Sequence, residues 1–424
     1  MKIVFAVFGS LGDMHPMIAL GLEMKRRGHA VVFATMEFYR EKIEMLGFEF
    51  RPMRPHFDLE TIENKELAAK LMDAKKGSEL LLREMILPNL RPMYDDLKAI
   101  VEDTPADLLV STEVVFAALS VVEKTGVKWA TTTLAPGTFL SAHDPFVPPT
   151  AVWLRHFRFL GSGFHGAMFG LVRKLIDSWF GPYHEFRRSV GLDDGRNPLF
   201  EGKSELLNLA MFSRVLGTSQ PDWPQPTVQT GFCFYDGKDD LGAISPALEK
   251  FLAAGEPPVV FTLGSAAVMD AGDFFEESAH AARLLGKRAV LLYGVRNEPP
   301  KATDESIAAF DYAPYSQIFP HAAAVVHQGG VGTTSQALRA GVPQLVMPYS
   351  HDQPDNAARC ERLGVAKIIA RSRYRAAAAA KKLDELLADE SYGRNAAEAA
   401  RVVESEHGTQ TACDALEEIL TKRP

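Results

Sequence analysis

Two parallel-sheet α/β domains joined by a linker are predicted by three features of the 424-residue sequence. Short apolar runs alternate with amphipathic stretches in both halves, glycines stop those stretches, and a proline-rich interruption lies between the halves. Length agrees, because a single core rarely serves a chain this long.

The elements follow in order. Ile3 to Phe8 is a first strand ending at glycine, too short for a secretory leader and without its small-residue ending. Pro16 to Arg27 is amphipathic and closes at Gly28 as a helix does, after which Ala30 to Ala34 forms a second strand. Leu108 to Val110, a helix from Val115 to Lys124 stopped at Gly126, and Trp129 to Thr133 repeat the unit. Strand, helix, strand in succession requires parallel pairing with helices on both faces. From Gly217 to Gly242, Pro221, Pro224 and Pro226 break any period and mark a linker. Val259 to Leu263, Ala289 to Tyr293, Ala323 to Val326 and Gln344 to Met347 then build a second sheet. A helical pattern from Ser335 to Ala340 ends at Gly341 and Pro343, the alanine run Ala376 to Ala380 favours helix, and Gly408 to Leu420 is amphipathic. The expected divisions are 1–216, a linker over 217–242, 243–407, and a closing segment over 408–424.

A formal charge of -8 argues against nucleic acid as a partner, because phosphate backbones demand a basic face. Cys233, Cys360 and Cys413 are odd in number and widely spaced, which speaks against a disulfide framework or a zinc site and for a reducing, cytoplasmic setting. No run approaches the roughly 20 apolar residues that span a bilayer. Between Ala151 and Val190, Arg155, Arg158, Arg173, Lys174, Arg187 and Arg188 interleave with Trp153, Phe157, Phe159, Phe164, Phe169, Trp179 and Phe180. Helices lining an apolar pocket are the preferred reading of this stretch; peripheral association with a membrane is the alternative.

The richest chemistry lies in His327-Gln328-Gly329-Gly330-Val331-Gly332-Thr333-Thr334 and, downstream, Pro348 to Asn356. The glycines sit where a strand turns into a helix, and there free backbone N–H groups and the helix dipole hold an anion. Thr333 and Thr334 offer hydroxyls, His327 an imidazole donor, and Asp352 beside Gln353 a carboxylate and an amide suited to sugar hydroxyls. The pattern reads as a site for a diphosphate attached to a sugar.

These stretches together resemble the donor site of the GT-B nucleotide-sugar glycosyltransferases, the family that contains plant and antibiotic glycosyltransferases. The resemblance extends to Gly9-Ser10-Leu11-Gly12-Asp13-Met14-His15-Pro16, to Phe261-Thr262-Leu263-Gly264-Ser265, and to Gln220 through Pro226 with Thr230-Gly231-Phe232. Ser141-Ala142-His143 and the Asp-Trp-Pro-Gln-Pro stretch are most similar to the rhamnosyltransferase of rhamnolipid synthesis, with bacterial flavonoid glycosyltransferases close by. The resemblance implies two Rossmann-like domains facing each other across a cleft, with the closing segment packed back on the first domain.

It also implies the site. Asp13 falls where relatives carry the catalytic base, with His15 the second candidate and Glu113 a carboxylate that orients the base. Donor contacts are expected from Gly12, Ser265, Tyr312, Ala313, His327, Gly329, Gly330, Gly332, Thr333, Gln336, Asp352 and Gln353. Gln336 stands where many uridine-dependent relatives place Glu, so a dTDP-sugar is expected beside a UDP-sugar as co-substrate. Phe139, His143 and Phe146 are expected in an apolar acceptor pocket. No strand-end Asp-x-Asp motif is present, and neither metal nor other cofactor is expected. The expected reaction is inverting transfer of a hexose or deoxyhexose to a hydroxyl of a small hydrophobic acceptor, of the polyphenol or hydroxy fatty acid type. A nucleotide-sugar epimerase and a non-catalytic nucleotide-binding partner protein are the alternatives.

Overall fold

The computed structural model describes residues 1–57, 65–237, 244–295 and 297–421. Its strands are β1 (Lys2–Ala6), β2 (Ala30–Thr35), β3 (Glu49–Pro52), β4 (Leu108–Thr112), β5 (Lys128–Thr133), β6 (Asn208–Ala210) and β7 (Thr227–Gln229), then β8 (Val259–Thr262), β9 (Ala289–Leu292), β10 (Ile307–Phe310), β11 (Ala324–His327), β12 (Gln344–Val346) and β13 (Ala366–Ile368). They form a seven-stranded sheet ordered β3-β2-β1-β4-β5-β6-β7 and a six-stranded sheet ordered β10-β9-β8-β11-β12-β13, parallel at every pairing. In each sheet the order reverses beside a central strand, β1 or β8, and ligands gather at the carboxyl ends of strands at such a switch point. The Asp13 turn follows β1, and Ser265 follows β8.

The central strands are near-continuous apolar runs because helices cover both faces. Ile3 through Ala6, Leu108 through Val110 and Val259 through Phe261 are each 0% exposed. β3, β6, β7, β10 and β13 were not foreseen. β6 and β7 hold three residues each and include Asn208, Thr227 and Gln229, so no apolar run announces them. β7 falls inside the expected linker and hydrogen-bonds β6, which makes 227–229 part of the first sheet; positions 238–242 of that linker, 243 of the expected second domain and 422–424 of the closing segment lie outside the described residues.

Two helices begin earlier than expected. Helix α1 spans Leu11–Arg26 rather than starting at Pro16, because Ser10 caps it with Asp13 in a capping box, and Pro16 lies inside the helix without a donor to Gly12 O. The helix after β11 spans Val331–Arg339 rather than starting at Ser335, since Gly332 and the threonines continue into its first turn. The helix Gly408–Thr421 leaves the second domain and packs on α1. Ala412, Cys413, Leu416, Ile419 and Leu420 join the first domain's core, and Arg27 pairs with Asp414 at 2.6 Å and Glu417 at 2.7 Å.

The domains also meet at the mouth of the cleft. Leu71, Met72 and Met85 of the first half pack into the second domain's apolar cluster with Val268 and Tyr349. Beside them Ser350 Oγ donates to Asp73 O at 3.0 Å, and Ser78 Oγ lies 3.0 Å from His351 Nδ1. In the 151–190 stretch, read as helices lining an apolar pocket, several aromatic and aliphatic side chains face outward. Trp153 is 59%, Phe159 78% and Leu175 64% exposed, whereas Phe180 is fully buried.

Candidate active site

Asp13 occupies the third position of α1, and its carboxylate is held from below by the turn that precedes it. Asp13 Oδ2 accepts from Ser10 N at 2.8 Å and Ser10 Oγ at 3.3 Å, while Ser10 Oγ accepts from Gly12 N at 3.2 Å. This is a capping box, legible in the spacing Ser10-x-x-Asp13 but not recognised there. Gly9, at φ +135°, has the Asp13 carboxylate where a side chain would stand. Burial pushes the Asp13 carboxyl up to about 6 against the pull of the Ser10 N–H, and the nearby Glu113 charge adds to the rise.

His15 turns its ring against Tyr235, with centroids 5.3 Å apart. Glu113, just beyond β4, does not hydrogen-bond the Asp13 carboxylate. Its Oε2 lies 3.4 Å from Lys203 Nζ and 3.5 Å from Thr133 Oγ1, so it acts on Asp13 through charge rather than as the expected orienting contact. Burial raises its own carboxyl even beside Lys203.

Across the cleft, Gly330 starts the helix Val331–Arg339 without any side-chain cap, so the first N–H groups keep no helical partner. Gly329, at φ +90°, lies so close to Val346 and to Gln353 O that an added Cβ would stand 2.9 and 3.0 Å from them. An added Cβ on Gly332 would lie 4.0 Å from Gly12 Cα, so the glycine turns of the two domains face each other almost in contact. Thr333 is 5% exposed and shares with Thr262 and the Gly264 N–H a buried hydroxyl, that of Tyr315, which is 2.7 Å from Thr262 Oγ1. Tyr315 stacks on Phe319 at 4.6 Å and is a residue that sequence reasoning missed, three positions after Tyr312.

His327 is corrected. It is 0% exposed; its Nδ1 accepts from Gly329 N at 3.0 Å, and its Nε2 lies 2.9 Å from Gln344 Oε1. Both ring nitrogens are therefore occupied by protein, the first as acceptor and the second as donor. Burial holds the imidazole down at about 4, so it is neutral and cannot serve as the expected donor to a phosphate. It shapes the glycine loop instead. The neighbouring Gln328 side chain enters the site, against Gly264 and Gly330.

The loop after β12 brings in the sugar-type residues. Asp352 accepts from Asn356 Nδ2 at 2.7 Å, and the same amide donates to Gly329 O at 3.0 Å. Burial pushes the Asp352 carboxyl up to about 7, and the Asp13 charge across the cleft contributes, which puts the two carboxyls within electrostatic reach. Gln353 Oε1 accepts from Tyr349 N at 2.9 Å and Ser350 N at 3.3 Å, which leaves its amide nitrogen to donate. Around these groups Gln328 Oε1, Thr334 Oγ1, Gln336 Oε1 and Asn356 Oδ1 are buried without a protein partner. Buried polar atoms are usually hydrogen-bonded, so these four have capacity left for a polar ligand. Tyr312 is 42% exposed and Ala313 2%.

An apolar pocket, open to solvent, lies beside this cleft, bounded by Gly9, Ser10, Met36, Phe38, Phe57, Leu71, Met72 and Ser265. Ser265 of the second domain thus faces Ser10 of the first. The residues expected to line an acceptor pocket lie elsewhere. Phe139 packs against Trp223 at 4.5 Å and Phe212 at 6.1 Å, His143 is exposed, and Phe146 covers Gly137. A smaller space of about 240 Å³ lies on the other side of β1, bounded by Glu113, Phe116 and Trp129. Among the described residues no group of three or more His, Cys, Asp or Glu is arranged to hold a metal, and no helix is long and apolar enough to cross a membrane.

Residues 3–142 match the glycosyltransferase family 28 N-terminal domain, and residues 295–419 match the C-terminal domain described as erythromycin biosynthesis protein CIII-like. The chain is 31% identical to O-mycaminosyltylonolide 6-deoxyallosyltransferase of Streptomyces fradiae, over 99% of this chain and 97% of that protein. Its fold is similar to the glycotransferase of kitacinnamycin, with a TM-score of 0.76, 19% identity and 99% of each chain covered. It is also similar to the Streptomyces sp. SF2575 glycosyltransferase SsfS6 complexed with thymidine diphosphate, with a TM-score of 0.64, 20% identity and 99% of each chain covered. None of the three is named for a fatty-acid or flavonoid acceptor, so the finer likeness drawn from residues 141–143 and 222–226 gains no support from them.

Proposed function

Because the chain belongs to the glycosyltransferases that join a family 28 N-terminal domain to an erythromycin biosynthesis protein CIII-like C-terminal domain, we propose a specific reaction for its cleft. It moves a hexose or deoxyhexose from a UDP- or dTDP-sugar to a hydroxyl of a small neutral apolar acceptor, with inversion and without a metal. The observation that carries this reading is the meeting of the two glycine turns, with the Asp13 carboxyl on one side and Asp352 on the other.

The diphosphate lies on the uncapped start of the Val331–Arg339 helix, where the Gly330, Val331, Gly332 and Thr333 N–H groups converge, with the Thr333 hydroxyl and the Gln328 amide beside them. Asp352 and the Gln353 amide hold the sugar hydroxyls. The acceptor occupies the apolar pocket, whose wall carries no charged side chain among the described residues, which suits an uncharged alcohol or phenol. Asp13 takes the acceptor proton as the oxygen attacks the anomeric carbon; the bond from that carbon to the phosphate oxygen breaks, and its electron pair leaves with the diphosphate. Attack from the side opposite the diphosphate inverts the anomeric centre. A carboxyl raised to about 6 is a stronger base than an ordinary aspartate and is still ionised at neutral pH. The helix N-terminus meets the leaving charge. The unpartnered Gln336 carbonyl, where a uridine-dependent relative would carry Glu, supports a dTDP-sugar donor, as does the thymidine diphosphate in the similar SsfS6 structure.

Incubation with UDP- and dTDP-sugars and a panel of neutral alcohols and phenols tests this. A glycoside whose anomeric coupling is inverted relative to the donor, with release of nucleoside diphosphate, is expected. Conversion of the donor to an epimer without any acceptor, or a diphosphate bound away from residues 329–333, sinks the reading.

A further inference from the structure

The helix Gln353–Arg362 is preceded by Asp352, carries Gln353 and Asp355 in its first turn and holds Arg359 in its last. Arg359 is 2% exposed. Its Nε donates to Asp355 Oδ2 at 2.6 Å, and its Nη1 donates to Leu216 O at 3.0 Å and to the Asp144 carboxylate. Asp355 Oδ1 in turn accepts from Val147 N at 3.0 Å, and Arg158 Nη1 pairs with Asp144 Oδ1 at 2.7 Å. Asp144, Val147 and Leu216 belong to the first half of the chain; Asp355 and Arg359 belong to the second.

The first-domain backbone is moulded around this pair. A Cβ added to Gly137 would stand 2.6 Å from Asp355 Oδ2, and one added to Gly217 would stand 3.1 Å from Arg359 Nη1. The mouth of the cleft is held differently, by the neutral Ser350 and Ser78 hydrogen bonds and by apolar contact, which has no preferred direction and can slide. Breaking a buried ion pair leaves an uncompensated charge, so the charged end resists parting far more than the mouth does. The asymmetry makes the mouth open and the Arg359 end stay put.

We propose that the Asp144–Arg359–Asp355 cluster is the pivot of domain closure, and that Arg359 is a positioning residue which sets Asp352 and Gln353 against the Asp13 turn. The link is short. Asp355 precedes Asn356, whose amide ties Asp352 to Gly329 O, so a shift of the helix at Arg359 moves the sugar-holding turn relative to Asp13. This inference rests on the reading of Asp352 and Gln353 as donor-sugar contacts. The N–H groups of residues 330–333 start another helix, which the sugar-holding helix meets at Gly329 through Asn356 and Gln353 O, so the diphosphate contacts are disturbed less than Asp352 and Gln353 when the pivot loosens.

Asp144→Asn and Arg359→Lys test it beside the wild type. Spin labels at Glu41→Cys and Glu390→Cys, one exposed site in each domain, report closure, and the three native cysteines are buried. Diphosphate Kd is expected to stay within about twofold while kcat falls by about tenfold or more. The share of donor lost to water is expected to rise, and the interlabel distance with bound diphosphate to broaden. Wild-type label distances and hydrolysis share in folded variants overturn the proposal; so does a Kd that weakens in step with kcat, the mark of a merely structural role. Should Asp144→Asn not fold, Arg158→Gln, which removes one partner of Asp144 at a half-exposed side chain, is read the same way. If the wild type transfers no sugar, the catalytic reading fails, and the label distances still decide whether the cluster is the pivot.

Discussion

At the scale of single residues, the Asp13 carboxyl stands at the cleft as expected of a base, whereas the His327 ring is turned onto protein. Asp13 is held by Ser10 at the cleft and raised to about 6, so its base form appears as pH rises through that value. Asp13→Asn is expected to lower kcat by about 10²- to 10⁴-fold with diphosphate affinity unchanged, and the wild-type kcat/KM profile to fall on the acid side near pH 6. A flat profile from pH 5 to 8 would reassign the base. His327 is instead a packed histidine. Its folded value of about 4 lies below the ordinary value of 6.5, so its contribution to stability is present above about 6.5 and is lost as pH falls through about 4. His327→Ala strands the Gly329 N–H and the Gln344 carbonyl and is expected to cost about 2–4 kcal/mol in urea unfolding at pH 7. The glycines after His327 made it look like a ligand. What was not visible is that both faces of β11 are buried, so alternation along the strand cannot say which way its last side chain points.

At the scale of elements, legibility followed hydrophobicity. β1, β4, β8 and β11 are apolar runs and could be read directly, whereas β6 is a strand because β5 offers it an edge and β7 because β6 does, and nothing in Asn208 or Gln229 says so. Helix starts were read too late for a related reason: the apolar period of α1 begins inside the helix, while its first turn is specified by Ser10 and Asp13, which are polar. The turn after β11 carries the element-scale prediction. Gly329→Ala places a methyl between Val346 and Gln353 O at a positive φ, so the loop must move away from the start of the Val331–Arg339 helix. Diphosphate affinity is expected to fall by about tenfold or more in calorimetry, since a shift near 1 Å in a positioned group costs on the order of 10²-fold in rate. Unchanged affinity would place the anion elsewhere than on that turn.

At the scale of the whole molecule, the site exists only where the two domains meet, and this is the part a linear pattern hides. No spacing connects Gly12 to Gly332, Ser10 to Ser265 or Asp144 to Arg359; closure does. Closure also buries Asp352 near Asp13, raising the first to about 7 and the second to about 6. A carboxyl whose folded value stands above its ordinary value of 3.8 contributes stability below about 4 and loses it as pH rises through the folded value. The assembled cleft is therefore strained above pH 7 by the very groups that hold sugar and proton. Asp352→Asn keeps the hydrogen-bonding shape and removes the charge, so it should raise Tm at pH 8 by a few degrees, at about 1 °C per kcal/mol for a protein of this size, and leave Tm at pH 4 nearly unchanged. Transfer activity should fall in the same variant, because the amide cannot take the charge-assisted hydrogen bonds of the carboxylate. Scanning calorimetry at the two pH values decides it: an equal change in Tm at both would mean that Asp352 is not held in a closed, water-poor cleft, and the interdomain site would lose its electrostatic basis.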